Sequence, residues 1–466
     1  MTPINNIFKN SGIRDKAKKK ITIVDRFINI FYRPQNTFIT FNNITTLGYA
    51  LAAYLHKTEQ KPCSILVATD TRPSGSWIKK QLLYGLVNSG HHIFDAGIAP
   101  TPFVAKALKD YKNPKTEQLQ FQLGIIVTAS HNPAAYNGIK IITPSGYLTV
   151  QDEIMISNFF HIFSADIASL IEFDSFDAGT VTPFNITPFY AAEIKKELHL
   201  FPFPPIKIVI DCAHGATYQV AQELFQHFGL CPIIINHSND GRRINLQSGC
   251  SDPKLLLQAI EHHQAEWGCA FDGDGDRVII ADNKGNIYDG DDILLVLSQH
   301  QDYCNEKTFV GTIMCNQAVE NYFKSCHKTL IRTDVGERNI IQKLDQLKAQ
   351  IGSEPCGHIT IMHHAFCSDG IFTALKFFET ICLQQNIDLN PYKKFPQVQT
   401  TIALNKITLN DQTIQSFVTP LQQSLLPGRI IVRKSNTEPL LRLMIEHPDS
   451  ILAQQVLMEL TNQLQK

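Results

Sequence analysis

One pattern recurs along this chain and restricts its fold more than any other. A short β-branched or apolar run leads into a small polar loop, and the loop leads into a stretch with helix-like spacing of apolar residues. Ile65–Ala68 runs into Thr69–Gly75, Gly124–Val127 into Thr128–Pro133, and Ile206–Ile210 into Asp211–Thr217. Cys269–Phe271 runs into Asp272–Arg277, and a further apolar run, Phe309–Met314, follows. Strands that alternate with amphipathic helices predict α/β layers around buried sheets. Ligands of such sheets sit at the carboxyl ends of the strands, so the polar loops are where chemistry is expected.

The chain has 466 residues, enough for about three or four domains. It is 44% hydrophobic and 18% charged, so it can build cores and lacks the composition of a disordered chain. A formal net charge of −1 leaves no electrostatic footprint for nucleic acid or an anionic membrane. The 11 cysteines run from Cys63 to Cys382 without a C-x-x-C pair, which fits a reducing compartment and argues against zinc-ribbon and thioredoxin-like sites. Residues 1–20 have no apolar signal core, and no apolar run is long enough to span a bilayer; a cytoplasmic protein is expected. Phe201–Pro205 is a proline-rich break that can lie inside a domain, and Asn390–Pro396 reads as a linker before a last, smaller unit.

Asp272-Gly273-Asp274-Gly275-Asp276-Arg277 is the most informative short run. The glycines let the backbone fold tightly enough for three carboxylates to converge. Converging carboxylates repel unless a cation lies between them, and an all-oxygen set suits Mg²⁺. The plain alternative is a solvated acidic turn. A calcium EF-hand fails, because its glycine and glutamate positions hold Arg277 and Asn283. Arg277 is placed to hold a phosphate beside the metal.

Thr128–Pro133 puts Ser130 and His131 on a strand-end loop, where a serine can act as a nucleophile or carry a phosphate; an ordinary turn is the alternative. Lys140 follows, suited to neutralise a phosphate or poise a proton transfer. Arg433-Lys434-Ser435-Asn436-Thr437-Glu438-Pro439, with Arg442 beyond it, resembles a phosphate cradle of guanidinium groups, hydroxyls and backbone N–H groups. Gly352–His358 contains an acceptor, a thiol and an imidazole: Glu354 for sugar hydroxyls, Cys356, and His358 for acid–base work. The adjacent pairs His91-His92, His262-His263 and His363-His364 do not share a helix face and read as non-ligands. A P-loop, an H-E-x-x-H helix and the dinucleotide glycine fingerprint are all missing, against P-loop kinases, zincins and dehydrogenases.

Taken in chain order, the serine, metal, sugar and phosphate loops resemble those of the α-D-phosphohexomutase superfamily over nearly the whole chain, from Gly12 to Glu446. Asp211–Thr217, Phe271–Ile280, Val310–Met314, Val335–Arg338 and Gly428–Lys434 look most like the bacterial phosphoglucosamine mutase group. The resemblance implies three mixed α/β domains and a smaller C-terminal α+β domain around a central cleft, with expected bounds 1–155, 156–256, 257–372 and 373–466. It implies that Ser130 is the phosphoserine and a metal ligand through its phosphate, that Asp272, Asp274 and Asp276 bind Mg²⁺, and that Arg14, Lys140 and Arg277 line the reacting phosphate. His131 joins these as a catalytic candidate beside the serine. Glu354, Cys356 and His358 stand where the family reads the sugar, and Arg433, Ser435, Asn436, Thr437 and Arg442 where it holds the non-reacting phosphate.

The activity implied is a phosphoryl relay between glucosamine 6-phosphate and glucosamine 1-phosphate, with Mg²⁺ and a sugar 1,6-bisphosphate as intermediate and activator. Closure of the C-terminal domain would exclude water. Phosphosugars are the expected partners, with neither nucleic acid nor membrane, for a monomer or homodimer. Four positions depart from the pattern. The usual F-G-T-D-G-I-R-G opening reads Phe8–Asp15, Asn436 replaces a glycine, Cys356 replaces a serine, and Asp334 stands where a basic residue is common. Phosphomannomutase-like members also use Asn at the second of these, so mannose and glucose phosphates are the alternative substrates. A silent sugar-phosphate-binding protein is the alternative from another class.

Overall fold

The computed structural model describes residues 7, 12–16, 38–165, 177–384, 387–404, 410–434 and 440–465. The chain divides into two compact units, Met1–Cys304 with Gly336–Ile387, and Asn305–Val335 with Asp388–Lys466.

The first unit contains two large sheets. One is built from β1 (Gly12–Lys16), β2 (Ser64–Thr69), β3 (His92–Ile98), β4 (Leu123–Val127), β5 (Tyr136–Thr143), β6 (Gly146–Tyr147) and β7 (Val181–Pro183), in the order β1-β5-β4-β2-β3-β7 with β6 on β5. β2 pairs parallel with both β3 and β4, whereas β4–β5 and β5–β1 are antiparallel. The apolar runs seen in the sequence become the buried central strands: Ile65, Leu66, Val67, Ile125, Ile126 and Val127 are fully covered. Each such side chain contributes about 1.5–3 kcal/mol on burial. Helix Phe41–Glu59 is buried on every side from Leu47 to Leu55 and is N-capped by Thr40, whose hydroxyl accepts from Asn43 N–H at 3.3 Å.

The second sheet runs β12-β11-β10-β8-β9, with β8 (Lys207–Asp211), β9 (Cys231–Ile235), β10 (Trp267–Phe271), β11 (Val278–Asp282) and β12 (Ile287–Tyr288). β8 lies parallel to β9 and β10, and the turn from β10 into antiparallel β11 carries the aspartate run. A hairpin of Ile351–Ser353 and Ile359–Ile361 and the buried helix Gly370–Leu383 also belong to this unit.

In the second unit, Thr308–Thr312 and Thr329–Thr333 pair in parallel. A three-stranded antiparallel sheet places Leu440–Glu446 between Gln397–Ala403 and Arg429–Lys434. Its core is Ile402, Leu441, Leu443 and Ile445 against Ile414, Val418, Val456 and Leu460 of two helices. Arg429 ties the two parts together, donating to the Ile313 carbonyl at 2.8 Å and to Glu446 Oε2 at 3.0 Å.

Candidate active site

Ser130 lies at the carboxyl end of β4, on a backbone with φ +52°, a left-handed conformation that is uncommon for a residue with a Cβ. Something must hold it there, and the holder is Arg72. Its Nη1 donates to the carbonyls of Pro133 (2.6 Å) and Tyr136 (3.0 Å), and its Nη2 to those of Ser130 (2.8 Å) and Asn132 (2.6 Å). Asp70 fixes the guanidinium through Nε at 2.9 Å, and Thr128 Oγ1 donates to the same carboxylate at 2.7 Å. From the loop between β9 (Cys231–Ile235) and β10 (Trp267–Phe271), Asn245 Nδ2 also donates to the Ser130 and Asn132 carbonyls. The planar fork of arginine suits such multiple acceptors, which a lysine cannot span.

The loop after β10 meets the serine loop directly. Ser130 Oγ donates to Asp272 Oδ2 at 2.6 Å. Gly273 packs under it so closely that a Cβ there would lie 2.6 Å from the Ser130 carbonyl oxygen, so only glycine permits the approach. One carboxylate oxygen from each of Asp272, Asp274 and Asp276 falls within 4.8 Å of the others, and all three residues are buried. Thr101, at the start of helix Thr101–Asp110, donates its hydroxyl to Asp274 Oδ2 at 2.6 Å. Lys140 reaches across from β5, with Nζ 2.6 Å from Asp274 Oδ2 and 2.5 Å from Asp276 Oδ2.

Burial first, and then the neighbouring Asp276 and Asp274, push the Asp272 carboxyl up to about 7. Burial also works against Asp276, but Lys140 and His358 pull it well below the usual range. Lys140 is raised despite burial, because Asp274 and Asp276 hold it charged. Burial, with Arg277 and Arg14 nearby, lowers His131 to about 3, so its imidazole is neutral at neutral pH; its Nδ1 is 3.5 Å from Ser130 Oγ. Arg14 stands on β1 opposite Gly138, and its Nε is buried without a hydrogen-bond partner among the described residues.

Arg277 and the hairpin turn complete this side. Arg277 Nε lies 2.8 Å from His358 Nε2 and 3.8–3.9 Å from Asp272 and Asp276. His358 Nδ1 faces Glu354 Oε2 at 3.1 Å, and its Nε2 is 3.2 Å from Asp276 Oδ1. Burial and Arg277 disfavour charge on this ring, yet Asp276 and Cys356 outweigh them and its pKa is raised well above the ordinary value. Glu354 also accepts the Gly336 N–H at 2.9 Å.

In the second unit, Arg433 and Arg442 are directly opposed across two antiparallel strands. Both line a cavity of about 380 Å³ together with Thr400 and Thr401. Ser435, Asn436 and Thr437 lie outside the described residues.

Four consecutive segments match the domains of the phosphoglucomutase/phosphomannomutase family: α/β/α domain I at residues 5–160, domain II at 188–285, domain III at 289–394 and the C-terminal domain at 409–463. The phosphoglucosamine mutase of Caldicellulosiruptor bescii is 32% identical over 459 residues, covering 96% of each chain. That of Acinetobacter baumannii is 34% identical over 412 residues, covering 86% of this chain and 89% of its own. The chain belongs to the phosphohexomutase superfamily. It is a phosphosugar mutase with three α/β/α domains and a C-terminal domain. In structure it is similar to a phosphoglucomutase/phosphomannomutase family protein of Burkholderia thailandensis, with TM-score 0.78 at 19% identity over 99% of this chain and 97% of that one. Aspergillus fumigatus N-acetylphosphoglucosamine mutase in complex with GlcNAc-6P and magnesium gives TM-score 0.59 at 17% identity, over 78% of this chain and 92% of that one.

The residues of this phosphohexomutase fit Mg²⁺. The aspartate donors are hard oxygens, and Asp274 Oδ1 is buried with no hydrogen-bond partner among the described residues, an arrangement that costs free energy unless a cation takes it up. The structure brings together Arg14, Ser130, His131, Lys140, the three aspartates, Arg277, Glu354, Cys356 and His358 in one unit. Arg433 and Arg442 lie in the other. Asp334 is exposed. Arg72, Thr101 and Asn245 were absent from the sequence-based set. Thr69–Gly75 was noted there as a strand-end loop, the one signal that pointed toward Arg72. Among the described residues, no helix is long and apolar enough to cross a membrane.

Proposed function

We propose that this mutase interconverts glucosamine 6-phosphate and glucosamine 1-phosphate through phosphorylated Ser130 and a sugar 1,6-bisphosphate. The observation that carries the reading is Ser130 Oγ held 2.6 Å from Asp272, at the edge of three converging carboxylates. The preference for the amino sugar is supported by the names of relatives that are 32–34% identical.

In the forward step the bond from phosphorus to Ser130 Oγ breaks, a bond to a sugar hydroxyl oxygen forms, and the hydroxyl proton ends on Ser130 Oγ, which is left as the free serine. His131, with Nδ1 3.5 Å from Ser130 Oγ, orients these oxygens; an imidazole lowered to about 3 is too weak a base to keep the proton. Lys140 is kept protonated by Asp274 and Asp276, so it serves as a fixed cation toward the transferring group rather than as a base. Arg14 and Arg277 add guanidinium charge on either side. Asp272, Asp274, Asp276 and the Ser130 phosphate would hold Mg²⁺, which would supply Lewis-acid neutralisation of that group. Glu354, Cys356 and His358 read the sugar. Arg433 and Arg442, with Ser435, Asn436 and Thr437, clamp the phosphate that is not reacting, and either phosphate of the bisphosphate can occupy that clamp.

Asn436, which phosphomannomutase-like members share, favours a second reading, in which mannose or glucose phosphates are turned over instead. The test is a mutase assay with Mg²⁺ and a catalytic amount of sugar 1,6-bisphosphate on glucosamine, mannose and glucose 6-phosphates, with Ser130→Ala beside wild type. Turnover on glucosamine 6-phosphate that vanishes in the variant is expected. Equal turnover in the variant would sink the phosphoserine relay, and release of inorganic phosphate without isomerisation would indicate a phosphatase.

A further inference from the structure

The turn between Ile351–Ser353 and Ile359–Ile361 carries a second group of ligating atoms, different in chemistry from the three aspartates. The turn is closed by Gly357 N–H to the Glu354 carbonyl (3.0 Å) and by Glu354 N–H to the His358 carbonyl (2.8 Å). Gly357 has φ +97°, and a Cβ on it would lie 2.6 Å from the Val278 carbonyl oxygen, so the turn is pinned against β11. Alternate residues of the turn then converge: a carboxylate oxygen of Glu354, Sγ of Cys356 and a ring nitrogen of His358 all lie within 4.8 Å of one another. Ligands of a tetrahedral zinc ion, each about 2.0–2.3 Å from the metal, sit up to about 4 Å apart, so small side-chain rotations suffice.

Three features select the ion. A thiol, an imidazole and a carboxylate suit Zn²⁺, whereas Mg²⁺ prefers oxygens alone. His358 presents Nδ1 to Glu354, while Nε2 lies 2.8 Å from Arg277 Nε and 3.2 Å from Asp276 Oδ1, the latter the kind of outer carboxylate that commonly orients a metal-bound histidine. Glu354 and His358 are buried but Cys356 is exposed, which leaves one side of the trio open to solvent. A serine at position 356, usual in the superfamily this chain resembles, would supply no soft ligand.

We propose that Glu354, Cys356 and His358 form a Zn²⁺ site, with the Cys356 thiol proton and the His358 Nδ1 proton released on binding, and that filling it inhibits the mutase by taking these side chains away from the sugar. The inhibitory part rests on the proposed sugar-reading role; the binding part does not. The test titrates the full chain, kept in excess Mg²⁺, with Co²⁺ as a spectroscopic substitute for zinc. A thiolate-to-cobalt charge-transfer band that Zn²⁺ bleaches is expected in wild type and in Cys231→Ser, a control at another exposed cysteine, and is lost in Cys356→Ser. Mutase inhibition by Zn²⁺, each enzyme referred to its own uninhibited rate, is expected to need about tenfold more metal or beyond in Cys356→Ser. Absence of the band, its survival in Cys356→Ser, or equal zinc sensitivity of the two enzymes would overturn the proposal. A Cys356-dependent band together with a mutase rate that Zn²⁺ leaves unchanged would keep the metal site and sink the sugar-reading role of these side chains.

Discussion

Replacing Arg72 by lysine keeps a positive charge beside Asp70 but removes the fork that holds the serine loop. Four carbonyls accept from the guanidinium, those of Ser130, Asn132, Pro133 and Tyr136, at 2.6–3.0 Å. Asn245 still reaches the Ser130 and Asn132 carbonyls and the Tyr136 N–H still reaches that of Pro133, so the loss falls mainly on the Arg72 bond to the Tyr136 carbonyl. An acceptor that loses its donor away from water costs about 1–3 kcal/mol, and this one is half-buried, which puts Arg72→Lys at roughly 1–2 kcal/mol. Arg72→Ala also strands the fully buried Asp70, and breaking a buried ion pair by removing one partner costs about 3–5 kcal/mol. Burial already pushes Asp70 upward against the pull of Arg72, so removing Arg72 raises it further and part of that cost is relieved toward acid pH. The midpoint of thermal unfolding is therefore expected to fall in the order wild type, lysine, alanine. Ser130 is held at φ +52° by this clamp, and a displacement of about 1 Å at a reacting group can cost 10²-fold. The lysine variant is expected to lose kcat on that order with little change in KM for the sugar phosphate. A variant that unfolds earlier but keeps kcat within about twofold would refute the idea that the clamp positions Ser130, and unchanged unfolding would refute the carbonyl accounting itself.

Asp272 gives a pH dependence in protein stripped of metal by a chelator. Its pKa is raised from 3.8 to about 7, so between these values the folded chain binds a proton that the unfolded chain does not, and stability falls as pH rises through this window. Asp272→Asn is expected to match wild type in its unfolding near pH 4 and to exceed it at pH 8 by on the order of a few kcal/mol, while Mg²⁺ binding measured by calorimetry is lost; a variant less stable at pH 8 would contradict this. Lys140 is 4% exposed and neutralises two carboxylates, so Lys140→Met is expected to lower stability by about 3–5 kcal/mol without metal and by much less in saturating Mg²⁺. Equal thermal shifts with and without Mg²⁺ would mean that the ammonium and the metal do not neutralise the same oxygens.

The sequence by itself determined the strands that end at the site and the chemistry of its metal loop. Both are local: Ile125, Ile126 and Val127 announce a buried strand by composition, and Asp272, Asp274 and Asp276 are contiguous, so their convergence needs only the two glycines between them. Only the tertiary structure decided what meets Ser130. Arg72, Asn245 and Thr101 act over 58, 115 and 173 residues of chain, and two of the three act on backbone carbonyls, acceptors that every residue carries and that leave no mark in a sequence. The same holds for the grouping of Asn305–Val335 with the C-terminal segment, which is tied by Arg429 to carbonyls of Ile313 and Cys315. Cys356 shows both levels at once: its identity is legible as a thiol, but its meeting with Glu354 and His358 depends on a turn whose glycine is pinned against the carbonyl of Val278.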